Sequence, residues 1–323
     1  MCRLPLGPSA LFTNCNMKEL IRRVVEHIPG YRWLDRYLRY RYTGSTYQEP
    51  YPRGHYYSPL PDISEVQSRF PILCPGETDL GPSIDLRPKI QRSLLTELAS
   101  YYCDFDWPEQ PSKDFRFHLQ QTVFCHGDAV ILHAMLRHFA PKRIIEVGSG
   151  FSSALMLDVD ERFLGAQTQF TFIEPFPERL LSLIHDNDLE KCTVIDEKLQ
   201  TVPLATFHQL QANDILFVDS SHVSKIGSDV NRIVFDILPI LKPGVLVHFH
   251  DVLWPFEYPL QWIMEGKAWN EAYLLRAFLQ YNSHFEIVLL NSYIGHVFES
   301  FMKKMMPLFL KNTGGSLWLR KLL

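Results

Sequence analysis

The run Arg143-Ile-Ile-Glu-Val-Gly-Ser-Gly-Phe-Ser-Ser153 constrains the fold more than any other stretch, because a short apolar strand breaks at two glycines and restarts as a helix. Glycines at 148 and 150 let the backbone turn tightly and approach a ligand closely, while Ser152 and Ser153 are suited to capping the helix that follows. Downstream the alternation continues, with strands predicted over 169–174, 192–196, 214–219, 244–250 and 285–290. Helices are predicted over 152–160, 177–187, 203–210, 229–240 and 270–281, and two more, 90–102 and 127–139, precede the glycine turn. Several strands, such as Ile215-Leu-Phe-Val218, are continuous apolar runs, as expected where helices cover both faces of a parallel sheet. The pattern predicts an α/β chain with a doubly wound, mostly parallel, Rossmann-like sheet.

With 323 residues, 46% of them hydrophobic and 21% charged, the chain can bury one large core plus accessory elements, or two modest domains. The expected division is a helical arm and Pro/Tyr-rich strap over 1–88, the glycine-turn domain over 89–301 and a basic C-terminal tail over 302–323. In the arm, helical segments are read over 18–27 and 31–42. The second, with arginines among tyrosines, reads either as a solvated helix or as a partner-binding or membrane-surface element. Prolines 59 and 61 stiffen Gly54–Asp62 into an extended segment, either a strap or a connector. A formal net charge of −4 provides no global field to gather nucleic acid, and no nucleic-acid partner is expected. The six cysteines, at 2, 15, 74, 103, 125 and 192, form no CxxC pair, and no charged-then-apolar leader is read. Apolar runs break before bilayer length, so the expectation is a cytoplasmic protein with reduced thiols and no transmembrane segment.

In an open parallel sheet, ligands bind beyond the carboxyl ends of the strands. Those ends read Glu146-Val-Gly148, Phe172-Ile-Glu174, Ile195-Asp196, Val218-Asp219 and His248-Phe-His250-Asp251. A carboxylate at Glu146, taken to sit at the mouth of the turn, would repel a dinucleotide pyrophosphate and suit a cationic ligand such as S-adenosylmethionine (SAM). The third glycine of the dinucleotide fingerprint is also replaced, by Ser153. Glu174 is the ribose candidate, with capping of the next helix as the alternative. Asp196 or Glu197 is a candidate for the adenine amino group, or a solvated loop acid. Asp219 and Asp251, with His250, make a tentative site for Mg²⁺ or another divalent cation; alternatively, Asp251 orients a histidine. His222, three residues past Asp219, is a candidate base for a substrate hydroxyl, or else a helix-start histidine bonded to its preceding serines. His248, deeper in its strand, reads as a core histidine. Trp254 and Tyr258 are pocket candidates, whereas Tyr273 and Phe278 read as packing.

These residues resemble the class I SAM-dependent methyltransferases, in particular a largely uncharacterised bacterial branch related to metal-dependent O-methyltransferases. The resemblance runs from His55-Tyr-Tyr-Ser-Pro-Leu-Pro61 through Glu146–Ser153, Asp219–Val230 and His248–Val252 to Trp269-Asn-Glu-Ala-Tyr273 and Gly314–Arg320. It implies that Glu146, Gly148 and Gly150 hold the methionine end of the cofactor and Glu174 its ribose, with Ser149, Phe151, Ser152, Asp196 and Asp219 also expected among the cofactor-binding residues. It also implies carboxylate metal ligands at Asp219 and Asp251 and a base at His222. Two positions depart from related patterns: Val252 stands where catechol-type relatives place Asn, and His250 where sugar-type relatives carry an acid.

The expected activity is therefore O-methylation of a small hydroxylated acceptor, sugar-like or phenolic, with Asp219, His222 and His250 at the reacting end. Two alternatives are a noncatalytic cofactor-binding scaffold and a metal-dependent hydroxylase or hydrolase on the same fold. The acceptor, the pathway and the oligomeric state are not specified by the sequence.

Overall fold

The structure, a computed structural model, describes residues 51–73, 83–124 and 126–323. The predicted arm helices over 18–27 and 31–42 lie outside the described residues. The chain divides into two compact units, Met1–Pro61 and Asp62–Leu323. In the first, residues 51–61 do not run extended as expected. Gly54, at φ +81°, turns the chain so that its N–H reaches the Leu60 carbonyl at 3.1 Å, and the rings of Tyr51, His55, Tyr56 and Tyr57 gather into one cluster.

Among its described residues the second unit is built on seven strands: β1 (Arg143–Val147), β2 (Gln169–Ile173), β3 (Cys192–Ile195), β4 (Ile215–Val218), β5 (Leu246–Phe249), β6 (Phe285–Leu290) and β7 (Leu317–Lys321). Their order is β3-β2-β1-β4-β5-β7-β6, with β1 to β5 parallel and β7 antiparallel to both of its neighbours. This is the predicted doubly wound α/β sheet. The apolar strands are buried as their composition requires: every residue of β4 and β5 is inaccessible, and helices His126–Phe139 and Phe151–Val159 add Ile131, Met135, Leu155 and Met156 to the same core.

Residues 302–323 are not a basic tail. Leu317, Trp318 and Leu319 are fully buried in β7, which fills the gap between β5 and β6. The basic residues that suggested a tail are accommodated at the strand's end, where Arg320 approaches Glu286 at 3.7 Å and Lys321 lies over the Phe285 ring. The unit boundary at Pro61 likewise falls before the expected one at 88. Among the described residues, no helix is long and apolar enough to cross a membrane.

The parallel ladder continues one residue past the strand ends. Gly148 N–H donates to Ile173, Glu174 N–H to Ile195, Asp219 N–H to Val147 and His250 N–H to Val218, at 2.8 to 3.1 Å. These bonds align Gly148, Glu174, Asp219 and His250 along the carboxyl edge of the sheet, which puts the sequence-predicted residues into one row.

Candidate active site

Gly148, at φ +79°, passes so close to β4 that a Cβ there would lie 1.9 Å from the carbonyl oxygen of Asp219. Only glycine satisfies both demands. The N–H groups of the turn are already engaged: Gly148 with Ile173, Ser149 with Glu174 Oε2 at 3.2 Å, and Gly150 with Ser153 Oγ at 2.9 Å. These three donors, which would cradle phosphate in a dinucleotide site, are not available.

Glu146 is not at the mouth of the turn. It is fully buried beneath it, accepting hydrogen bonds from Ser152 Oγ at 2.6 Å and from Ser153 Oγ. Burial pushes its carboxyl up to about 8 against the opposing pull of the two serines, so at neutral pH it is mostly protonated. Its part is to pin the start of helix Phe151–Val159 through both serines; the charge-sorting role expected for it is corrected by this burial. Glu174 is half-buried and bridges the turn to the next helix, accepting from Ser149 and, through Oε1, from Phe176 N–H at 2.8 Å. Asp196 is exposed at the end of β3, and neighbouring Glu197 accepts from Thr201 Oγ1 at 2.7 Å. Arg179, which sequence reasoning passed over, lays its stem across Gly150, with Cδ 3.1 Å from where a Cβ would stand, and its charge acts on both Glu174 and Asp219.

His222 is the centre of the second cluster. It is 5% exposed, and its Nδ1 lies 2.9 Å from Glu271 Oε2 while Nε2 lies 3.4 Å from Asp219 Oδ1 and 3.8 Å from Asp251 Oδ2. Its carbonyl accepts the N–H groups of Asn270 and Glu271, and Ser220 Oγ donates to Glu271 Oε1 at 2.9 Å. The 219–224 loop is thereby locked to the start of helix Glu271–Leu279. His222 and Asp251 both hold left-handed backbone, each at φ +58°, a strained conformation for non-glycine residues that a rigid site must impose. Burial lowers the His222 pKa, but Asp219 and Glu271 outweigh it and raise the imidazole to about 10. For Asp219, burial acts upward, and the imidazoles of His250 and His222 more than reverse it.

Glu271 was missed in the sequence, although Trp269-Asn-Glu-Ala-Tyr273 had been noted there. Asp128 was missed as well. It is buried, its carboxyl is pushed up to about 6 by burial, and it accepts from Ser316 Oγ, Gly315 N–H and Asn291 Nδ2. It thereby holds the Gly314–Ser316 turn against Asp251, where a Cβ on Gly315 would stand 2.9 Å from Asp251 Cα. His248 is the core histidine expected, stacked on Phe217 and bonded to Ser316 Oγ at 2.9 Å.

His250 is 3% exposed, with its ring against Phe124 and Nε2 3.6 Å from Asp251 Oδ1, so it backs Asp251 from the interior. The tentative metal set of Asp219, Asp251 and His250 does not fit an ion: among the described residues, no group of three or more His, Cys, Asp or Glu side chains is arranged to hold one. The space that a cation shared by Asp219 and Asp251 would need is faced by the His222 imidazole. Of the expected pocket aromatics, Tyr258 is buried with its hydroxyl accepting from Ala272 N–H and Trp254 packs edge-on against Tyr293; the ring that lies 4.3 Å from the His222 ring is that of half-buried Trp269, which was not singled out. Tyr273, expected in the core, is exposed.

A family model described as a methyltransferase domain matches residues 145–252, the stretch that contains the glycine turn, Glu174, Asp219, His222 and Asp251. The chain belongs to the class I SAM-dependent methyltransferases. It is 36% identical over 173 residues, 51% of this chain and 76% of the relative, to an uncharacterised protein of Archaeoglobus fulgidus. Among solved structures, it is similar to the SAH-bound Podospora anserina methyltransferase PaMTH1, at 16% identity and a TM-score of 0.39, covering 81% of this chain and 97% of that one. It is also similar to the O-methyltransferase TomG from Streptomyces achromogenes in complex with SAM, at 15% identity and a TM-score of 0.38, covering 80% and 96%. In this methyltransferase, Glu271 and Arg179 lie outside or unmarked within the predicted motifs, and both join the site only through the fold.

Proposed function

We propose that this methyltransferase transfers a methyl group to an oxygen of a small hydroxylated acceptor, sugar-like or phenolic, with His222 as the base. The observation that carries the reading is the His222 ring itself: Glu271 takes one nitrogen, and the other is turned toward the two carboxylates at the ends of β4 and β5. The chain's residues fit SAM, since the turn's engaged N–H groups leave no phosphate cradle, while Glu174 and Asp219 at the sheet edge suit hydroxyls and a cation. Glu174 would hold the ribose. Gly148, Ser149, Gly150, Phe151 and Ser152 would line the amino-acid end, and Asp196 would face the adenine.

When bound, SAM supplies an electrophilic methyl on a positively charged sulfur. Asp219 balances that charge, and in doing so gives up part of the field that keeps the His222 ring protonated. Nε2 of His222 then accepts the acceptor's hydroxyl proton, with Nδ1 held by Glu271 so that the ring neither turns nor changes tautomer. Trp269 covers one side of the ring and limits water. No step is assigned to a metal, because the residues present do not form a ligand set.

Incubation with methyl-labelled SAM and a panel of sugars, catechols, amines and thiols tests the reading. Label on oxygen is expected; label confined to nitrogen or sulfur acceptors would overturn it.

A further inference from the structure

Asp251 is held from outside its own strand. Its left-handed backbone, at φ +58°, follows His250, which still bonds to Val218, and precedes Val252, whose N–H donates to the Gly315 carbonyl at 2.8 Å. Gly315 also lies so close that a Cβ on it would stand 2.9 Å from Asp251 Cα. An aspartate in this conformation relaxes toward ordinary backbone unless its surroundings oppose the change, and the opposing surface here is the Gly314–Ser316 turn.

That turn is fixed by one carboxyl oxygen. Asp128 Oδ1 accepts from Ser316 Oγ at 2.6 Å, Gly315 N–H at 3.1 Å and Asn291 Nδ2 at 3.2 Å. The fit is tight elsewhere too: a Cβ on Gly314 would stand 2.0 Å from Asp128 Oδ2, and Gly127, the residue before Asp128, donates its N–H to Asn312 at 2.7 Å. Among the described residues, the hydrogen bonds of the Asp128 carboxyl go to the turn and to Asn291, and none goes to His222, Asp219 or Asp251. Asp128 can therefore affect the reacting end only through the turn that it holds.

We propose that Asp128 is a positioning residue for methyl transfer: through Gly315 it keeps Asp251 left-handed, with its carboxylate 3.8 Å from His222 Nε2. The proposal rests on the reacting hydroxyl meeting His222 beside Asp251, as above. Asp128 contributes an acceptor oxygen in a fixed place. Without that oxygen the three donors are released, the turn and Asp251 shift together, and a displacement of about 1 Å at a reacting end costs on the order of a hundredfold in rate.

The test reads turnover with the hydroxylated acceptor that takes label in the panel above, together with S-adenosylhomocysteine affinity by calorimetry. Asp128→Ala is expected to lower turnover roughly ten- to a hundredfold and to leave the affinity unchanged. Asp128→Asn, which retains an oxygen for the three donors, should recover most of the turnover. In an Asp251→Ala background, Asp128→Ala should cost little further turnover, since the group it positions is gone. A role in stability alone would lower the melting temperature and leave turnover per folded molecule the same. Gly315→Ala, which keeps its N–H but crowds Asp251, should reproduce the loss, and it decides the matter if Asp128→Ala does not fold. Full turnover in either variant, or an equal loss from Asp128→Ala in both backgrounds, would overturn the proposal. His222→Ala, run alongside, separates two failures. If it too keeps full turnover, the proposed base chemistry fails; if it alone loses turnover, only the positioning role of Asp128 fails.

Discussion

Glu271 Oε2 lies 2.9 Å from His222 Nδ1, joining two residues 49 positions apart in the chain. The contact dictates the tautomer, because a proton on Nδ1 is the only one Glu271 can accept, and Nε2 is left facing Asp219 and Asp251. His222→Ala should therefore lower turnover by roughly 10²- to 10⁴-fold, the usual worth of a positioned base, while SAM affinity is retained. Glu271→Gln should lower turnover and also move the acid limb of the pH–rate profile to lower pH, since one of the two anions that raise the imidazole is gone. An unshifted acid limb in Glu271→Gln would remove Glu271 from that role.

The same pair has a signature in stability. The His222 pKa rises from 6.5 to about 10 on folding, so between these values the folded form binds the extra proton. The resulting stabilisation is fully present below pH 6.5 and is lost as the pH climbs toward about 10. Melting temperatures measured across that window should fall in the unmutated protein and fall less steeply in Glu271→Gln. Parallel curves would contradict the assignment.

Glu146 also makes stability fall as pH rises, but as a growing cost of ionising a buried acid and not as the loss of a gain. An acid whose pKa is raised from 4.5 to about 8 destabilises the folded state progressively as pH rises through that interval, because the unfolded chain has already ionised. Glu146→Gln, neutral at every pH and of the same shape, should flatten this decline and melt higher than the unmutated protein at pH 8. Glu146→Ala should melt lower, having left Ser152 and Ser153 without their common partner.

At Gly148 two demands coincide, and they can be separated with Gly227. Both have positive φ, +79° and +71°, but a Cβ at 227 meets nothing within 4 Å, whereas one at 148 would stand 1.9 Å from the Asp219 carbonyl. Gly227→Ala should cost about 1 kcal/mol of backbone strain, and Gly148→Ala several times that, or fail to fold. Chemical denaturation checks the difference; similar costs would mean that the approach to Asp219 relaxes freely.

Methyl transfer should survive exhaustive treatment with EDTA. The imidazole of His222 faces the position between Asp219 and Asp251, and no third ligand joins them among the described residues. Loss of activity that Mg²⁺ restores, in the absence of any change in melting temperature, would reinstate the carboxylates as ligands.

The sheet and the row of strand-end acids were legible because parallel strands announce themselves as apolar runs and end where their hydrogen-bond ladder ends. Glu174, Asp219 and Asp251 followed from that rule alone. Glu146 did not, because the rule gives position along a strand and not the side on which the carboxyl settles; its burial depends on Ser152 and Ser153 folding back over it. Glu271 was hidden by distance in sequence, since nothing local links a helix-start acid to a histidine on another loop. β7 was hidden by its charge: Leu317-Trp-Leu-Arg-Lys321 reads as a basic end until Glu286 and Phe285 are seen to receive the two cations.

The late position of β7 has a consequence for synthesis. A ribosome delivers β1 to β5 in an order that lets each find a partner soon after it appears, yet the free side of β5 waits for residues 317–321. Until they emerge, β6 has no neighbour and Asp251 lacks the Gly315 backbone that abuts it. The support of Asp251 is thus the last part of the reacting end to be put in place, after the link between His222 and Glu271 has become possible.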